Sequence, residues 1–248
     1  MNARFSPELF ARTEPSDEGG AIVAESLLPE LFPLAGCQEL VPTGVSARAD
    51  DSSEEQDDVY VPEHYEHNYA YPLIVWLCPA ASAPRQWRRL MKCISERNYV
   101  GVSIPIGDDE ETASQVFATV ARVRKRFHLH TERVYLVGFN EAGTRAVELG
   151  LSRPGWFGGI AAVSAGFPKI ARPLSRYEEL RGKRVFLALT EGDGAALAGE
   201  VRRAQRLLFS AGMRVTCCTA AADDRHAGLL REIDRWIMRD IEQPELVC

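Results

Sequence analysis

From residue 59 onward the sequence alternates short runs of β-branched and aromatic residues with longer segments of helical periodicity. Strands and helices in this order form a parallel sheet, because each helix carries the chain back across the sheet to the start of the next strand. We therefore predict an α/β fold with a mostly parallel central sheet and helices on both faces. The predicted strands are Tyr71–Leu77, Tyr99–Ile104, Arg133–Val137, Gly159–Ser164, Arg184–Leu189 and Met213–Cys218.

Three segments between these strands have the apolar spacing of helices that cover a sheet. The spacing is seen in Val116, Val120, Val123 and Phe127, in Ala204, Leu207 and Leu208, and in Leu229, Ile233, Trp236 and Ile237. The first of these helices is closed by the basic cluster R-V-R-K-R at 122–126. Cations at a helix C-terminus complement the helix dipole, so we prefer this interpretation to a nucleic-acid-binding surface.

The most specific motif is V-Y-L-V-G-F-N-E-A-G, from Val134 to Gly143. A glycine at 138 and a small residue at 142 allow a sharp turn from strand to helix, which lifts Asn140 above the sheet in a strained conformation. Asparagine tolerates positive φ, but a carboxamide cannot act as an attacking nucleophile. The alternative is an ordinary strand-to-helix turn in which Asn140 is the helix N-cap.

This stretch, continued as T-R-A-V-E-L, is similar to V-Y-L-x-G-F-S-Q-G-G-x-x-A-L-x-L of the phospholipase/carboxylesterase-like family of α/β hydrolases. The resemblance covers roughly residues 59 to 240. It implies an α/β-hydrolase fold in which Asn140 occupies the position of the nucleophilic serine. We then expect a positive φ at Asn140 and the other catalytic positions at the same edge of the sheet.

The acid and the histidine of such a triad follow the nucleophile in chain order. The segment V-F-L-A-L-T-E-G-D resembles the family's V-x-L-x-H-G-x-x-D, which places Asp193 at the acid position. After the last predicted strand the only histidine is His226, somewhat later than the family's histidine, which lies nearer Asp223. The alternatives are that Asp193 caps the following helix and that His226 is an exposed residue near the last helix.

The family's oxyanion-hole turn, H-G-x-G, corresponds here to C-P-A-A from Cys78 onward. Pro79 has no N–H to donate, so the resemblance leaves Ala80, or alternatively Ala81, together with Glu141 as the oxyanion-hole positions. A Glu141 carboxylate at this place would oppose a developing negative charge. Cys78 is an alternative nucleophile, although it lies on the oxyanion strand rather than at the turn.

Charge is distributed unevenly along the chain. Residues 1–58 contain 13 acidic and 3 basic residues, whereas the whole chain has a net charge of −6. The run A-D-D-S-S-E-E-Q-D-D at 49–58 has no large apolar side chain to bury. We therefore predict an acidic, partly disordered N-terminal extension over 1–58 and an α/β-hydrolase-like domain over 59–248. The acidic run is either a solubilising tether or an interaction segment.

Several other functions are disfavoured. The six cysteines have no metal-binding spacing, and the H-x-H pair of His128 and His130 is by itself a weak metal signal, so we predict no metal and no cofactor. No stretch has the apolar length of a membrane span, and the N-terminus lacks the pattern of a signal peptide. We predict a cytoplasmic protein with free thiols and no nucleic-acid partner.

These residues predict a pseudoenzyme with degenerate triad positions Asn140, Asp193 and His226. Such a protein would bind a small molecule or a protein in the vestigial pocket. The alternative is a serine-independent esterase or thioesterase of low activity that hydrolyses carboxylic esters.

The acidic run gives the first testable prediction. Limited proteolysis should cut within residues 49–58 and leave a stable fragment that begins near Val59, because this run contributes no side chain to a core. Mass spectrometry of the fragments measures the position of the cut. Protection of residues 49–58 in the isolated protein would show instead that the acidic run is docked.

Overall fold

The computed structural model describes residues 59–79, 84–168, 172–220 and 227–242. The N-terminal extension predicted for residues 1–58 lies outside these ranges. The described strands are β1 (Val59–Tyr60), β2 (Tyr71–Cys78), β3 (Val100–Pro105), β4 (Leu129–Phe139), β5 (Gly159–Val163), β6 (Arg184–Thr190) and β7 (Arg214–Ala220). The described α-helices are α1 (Pro84–Ile94), α2 (Asp109–Arg126), α3 (Asn140–Ser152), α4 (Tyr177–Leu180), α5 (Ala195–Ser210) and α6 (Ala227–Glu242).

The seven strands form one sheet in the order β1-β3-β2-β4-β5-β6-β7. Every neighbouring pair is parallel except β1 and β3, which are antiparallel. The strands β2 and β5 and the second half of β4 (residues 134–138) are buried, because helices cover both faces of the sheet. The predicted α/β architecture is confirmed.

The helices divide the apolar core into two layers. On one face, α2, α3 and α5 bury side chains such as Val120, Val147 and Leu208 against the sheet. On the other face, α1 and α6 bury Met91, Leu230 and other apolar side chains. The three helical periodicities found in the sequence correspond to α2, α5 and α6, and most of their residues form the buried stripe; Phe127, just after α2, and Leu207 on α5 are only partly buried.

Helix α2 shows how local sequence fixes helix ends. The Asp108 side chain accepts a hydrogen bond from the Glu111 N–H at 2.7 Å and caps the first turn, which also contains three acidic residues. The last turn contains Arg124, Lys125 and Arg126, and the helix ends at Arg126. The basic cluster therefore lies at the helix C-terminus, as the dipole argument predicted.

Most strand bounds agree with the prediction to within one or two residues, and two strands differ more. β4 begins at Leu129 rather than Arg133, and its first residues include the exposed Thr131 and Glu132, which break the apolar pattern expected of a buried strand. β1 has only two residues and was not predicted, because so short a pair has no detectable period. Among the described residues, no helix is long and apolar enough to cross a membrane.

Adjacent residues on α5 provide a stability test of this packing. Leu208 is 0% exposed and Phe209 is 73% exposed. Leu208→Ala should lower the free energy of unfolding by about 2–5 kcal/mol, since it removes buried methyl groups and leaves a cavity. Phe209→Ala should change it by less than about 0.5 kcal/mol, as for most surface substitutions. Chemical denaturation measures both, and equal effects would contradict the assigned orientation of α5.

Candidate active site

The turn between β4 and α3 has the backbone conformation expected of a nucleophile elbow. Asn140, the first residue of α3, has a φ of 51°, so the prediction of a positive φ is confirmed. Strand and helix approach so closely that a Cβ on Gly138 would lie 2.3 Å from the Ala142 carbonyl oxygen. A Cβ on Gly143 would lie 2.8 Å from the Gly138 carbonyl oxygen. Glycine at both positions is therefore required by the turn itself.

Asn140 does not act as a helix cap. The N-cap of α3 is Phe139, in an extended conformation, and no side chain caps the helix by a hydrogen bond. Asn140 is exposed, and its backbone carbonyl accepts a hydrogen bond from Thr144 Oγ1 at 3.4 Å. The ordinary-turn interpretation therefore does not describe this site, and the carboxamide stands exposed above the end of β4.

Asp193 lies at the same edge of the sheet as Asn140, as predicted. Both residues follow the carboxyl ends of strands that run parallel, and the two strands are separated only by β5. Two strand spacings correspond to about 10 Å. The N-cap of α5 is Gly194, with no side-chain cap, so Asp193 does not serve as the cap of that helix.

The Asp193 carboxylate is held by two donors. Its Oδ2 accepts the Thr190 backbone N–H at 2.6 Å and the Ser164 hydroxyl at 2.7 Å. Thr190 stands where the family motif has glycine, but the bond uses the backbone, so this substitution leaves it intact. Hydrogen bonds to a charged acceptor are short and strong, and they fix the orientation of the carboxylate.

Ser164 is a site residue that the sequence analysis missed. It directly follows β5 and has a φ of 49°, which is a strained conformation for a residue with a Cβ. It therefore lies between Asn140 and Asp193 along the edge. Its position as the last residue of a predicted strand was the available signal, because the carboxyl ends of parallel strands collect at one edge.

Carboxylates dominate the described part of this edge. Glu141 follows Asn140 and is exposed, and Glu191 precedes Asp193 in the turn after β6. Glu200 on α5 accepts a hydrogen bond from the Phe167 backbone N–H at 3.0 Å, which fixes the loop after β5. The described part of this edge is therefore acidic, although solvent screens the charges of the exposed Glu141 and Glu191.

The thiol of Cys78 is not arranged for attack. It is 8% exposed, and its Sγ lies 3.2 Å from Ser103 Oγ and 3.6 Å from the Ile104 carbonyl oxygen. Burial raises the pKa of the Cys78 thiol, which disfavours the reactive thiolate. The alternative of a cysteine nucleophile at this position is therefore not supported.

Some predicted positions lie outside the described residues. These are Ala80 of the oxyanion hole and the segment Asp223–His226, which contains the predicted histidine. Within the described ranges no three histidine, cysteine or acidic side chains are grouped to hold a metal ion.

Two cavities formed by described residues lie away from Asn140, Ser164 and Asp193. One of about 390 Å³ is a polar depression lined by Asp108, Asp109, Glu110 and Arg145. The other, of about 370 Å³, is lined by residues of α3 and of the 172–180 segment, including Leu151, Arg172 and Leu180. Neither cavity is lined by Asn140, Ser164 or Asp193, so neither identifies a ligand for that site.

No protein-family model and no curated protein match the sequence. Similarity to solved structures is extensive, however. A thermostable esterase superposes with a TM-score of 0.54 at 12% identity, over 73% of this chain and 58% of the esterase. Esterase PE8 superposes with a TM-score of 0.54 at 17% identity, over 71% of this chain and 96% of the other. A putative dipeptidyl aminopeptidase IV from Bacteroides ovatus superposes with a TM-score of 0.60 at 13% identity, over 73% of this chain and 33% of the other.

These similarities, together with the sheet order and the elbow, show that the chain has the α/β-hydrolase fold seen in esterases. The chain spans only 58% of the length of the thermostable esterase. At such low identities the comparison establishes the fold, whereas the reaction depends on the residues present at the site.

The strained turn gives a prediction at Asn140. Asn140→Gly should preserve or slightly raise the free energy of unfolding, because glycine adopts a φ of 51° without strain. Asn140→Val should lower it by about 1–3 kcal/mol, since a β-branched side chain is strongly disfavoured there. Thermal unfolding of both variants measures the difference. Equal stability of the two would contradict a left-handed conformation at this residue.

Proposed function

We propose that this protein is a non-catalytic member of the α/β-hydrolase fold that binds a small molecule or a protein in a vestigial pocket at the carboxyl edge of β4, β5 and β6. The observation that carries the proposal is Asn140 at a φ of 51°. The elbow keeps its conformation, while its side chain lacks a nucleophilic atom. Strained residues concentrate at functional sites, which supports a role for this edge in binding.

The size of the expected loss in kcat favours binding over hydrolysis. Loss of the serine from a working triad lowers kcat by a factor of about 10⁶, and the residual catalysis depends on the oxyanion hole. Here Pro79 and Glu141 weaken that hole, because one lacks a donor and the other adds negative charge. We assign neither cofactor nor metal to the site. Among the described residues, Cys78, Cys217 and Cys218 form no disulfide, which supports a reducing compartment, and we propose the cytoplasm.

The alternative is an esterase or thioesterase of low activity that works without an elbow serine. The observation that favours it is the hydrogen bond from the Ser164 hydroxyl to Asp193. A serine beside a base can attack an ester, but a carboxylate is a far weaker base than imidazole, so the rate would be low.

An activity measurement separates the two proposals. The purified protein should give no burst and no turnover above background with short-chain p-nitrophenyl esters, and fluorophosphonate should not label it. The reason is that Asn140 provides no attacking oxygen. Stoichiometric labelling of any residue would overturn the non-catalytic proposal, and loss of that label in Ser164→Ala would support the alternative.

Asn140→Ser serves as the matched variant. It restores the nucleophile alone, so its activity should stay far below that of a working esterase if Pro79 and Glu141 are further lesions. Strong activity in this variant would show that the rest of the site is intact.

A further inference from the structure

The two ends of the described sheet are protected to different degrees. β1 has only two residues and is soon followed by Pro62. β7 has seven residues, contains no proline, and carries its single charge at its first residue, Arg214. Cys217 and Thr219 are exposed. Proteins normally blunt edge strands with charges, prolines, bulges or short length, and β7 has only the terminal charge. Such a strand is a template for pairing with another strand.

The register with β6 identifies which backbone groups of β7 point outward. The Arg214 N–H donates to the Lys183 carbonyl at 2.8 Å, and the Ala220 carbonyl accepts the Glu191 N–H at 3.2 Å. The N–H and C=O of alternate residues in a strand point to opposite sides, so the even-numbered residues of β7 face β6. Three residues therefore direct both backbone groups away from the sheet: Val215, Cys217 and Thr219.

We propose that β7 pairs antiparallel with β7 of a second copy of this chain, around a two-fold axis at Cys217, and so joins two seven-stranded sheets. The three outward residues are symmetric about Cys217. A two-fold axis there places Val215 opposite Thr219 of the second copy and Cys217 opposite itself. All three are then hydrogen-bonded pairs, which gives about six inter-strand bonds with no outward group left over.

Charge and symmetry favour a second copy as the occupant. In the antiparallel register the two Arg214 side chains lie at opposite ends of the pair, about 20 Å apart by the rise of a strand. That distance exceeds the screening length of about 8 Å at physiological salt, so they do not oppose association. A parallel pairing in register would instead place Arg214 beside its copy, and it would lack the closed two-fold symmetry of most dimers.

Charge reversal at the axis tests the pairing. The wild-type protein should sediment with twice the monomer mass at high concentration. Cys217→Glu and Cys217→Lys should each sediment as monomers, because two like charges would face each other across the axis. An equimolar mixture of the two variants should recover the dimer, since the charges are then opposite. Ser114→Glu and Ser114→Lys, at an exposed position on α2, are the matched controls and should leave the wild-type association unchanged.

Cross-linking provides an independent readout of the register. A short bis-maleimide should link two wild-type chains through Cys217, because the two side chains lie on the same face of the joined sheet, and Cys217→Ser should abolish this product. A protein that stays monomeric at every concentration would overturn the proposal. So would a dimer that both Cys217 charge variants leave intact, or a failure of their mixture to associate. None of these outcomes depends on the function proposed for Asn140 and Asp193.

Discussion

The close approach of β4 and α3 at Gly138 and Gly143 is the constraint on which the site depends. Because no side chain fits between strand and helix, the turn must be completed in a single residue, and that residue is driven to a positive φ. The same contact places α3 over the neighbouring strands and brings Ala142 into the core. A turn of this kind presents its central side chain to solvent whatever that side chain is. Asn140 is therefore displayed as a nucleophile would be, without the chemistry of one.

The second feature that follows from the parallel sheet is the collection of polar groups at its carboxyl edge. Ser164 and Asp193 come from different strands, yet their side chains are joined by a hydrogen bond of 2.7 Å. This bond and the Thr190 N–H fix the orientation of the Asp193 carboxylate. Glu141 and Glu200 lie near the same edge, so it offers several hydrogen-bond acceptors. The parallel sheet thus brings Asn140, Ser164 and Asp193 to one edge, together with several carboxylates.

The sheet is asymmetric in a way that concerns association rather than chemistry. One end is closed by a two-residue antiparallel strand, and the other ends in a longer parallel strand with outward backbone groups. The outward-facing backbone groups of β7 lie on a different side of the domain from the covered faces of the sheet. A partner at this strand would therefore leave the helices α2 and α3, and the turn between β4 and α3, in place.

The sequence by itself determined the α/β architecture, six of the seven described strands and the elbow at Asn140. These depend on local patterns, namely apolar periods of two and 3.6 residues and the spacing of glycines. Each such pattern is visible within one short stretch of sequence. It also placed Asp193 at the correct edge, because chain order alone assigns residues to the ends of parallel strands. Only the tertiary structure decided that Ser164 belongs to the site, that the Cys78 thiol is buried against Ser103, and which backbone groups of β7 face outward. Each of these results depends on contacts between strands far apart in sequence. The residue pattern within one strand does not determine which strand lies beside it in the sheet.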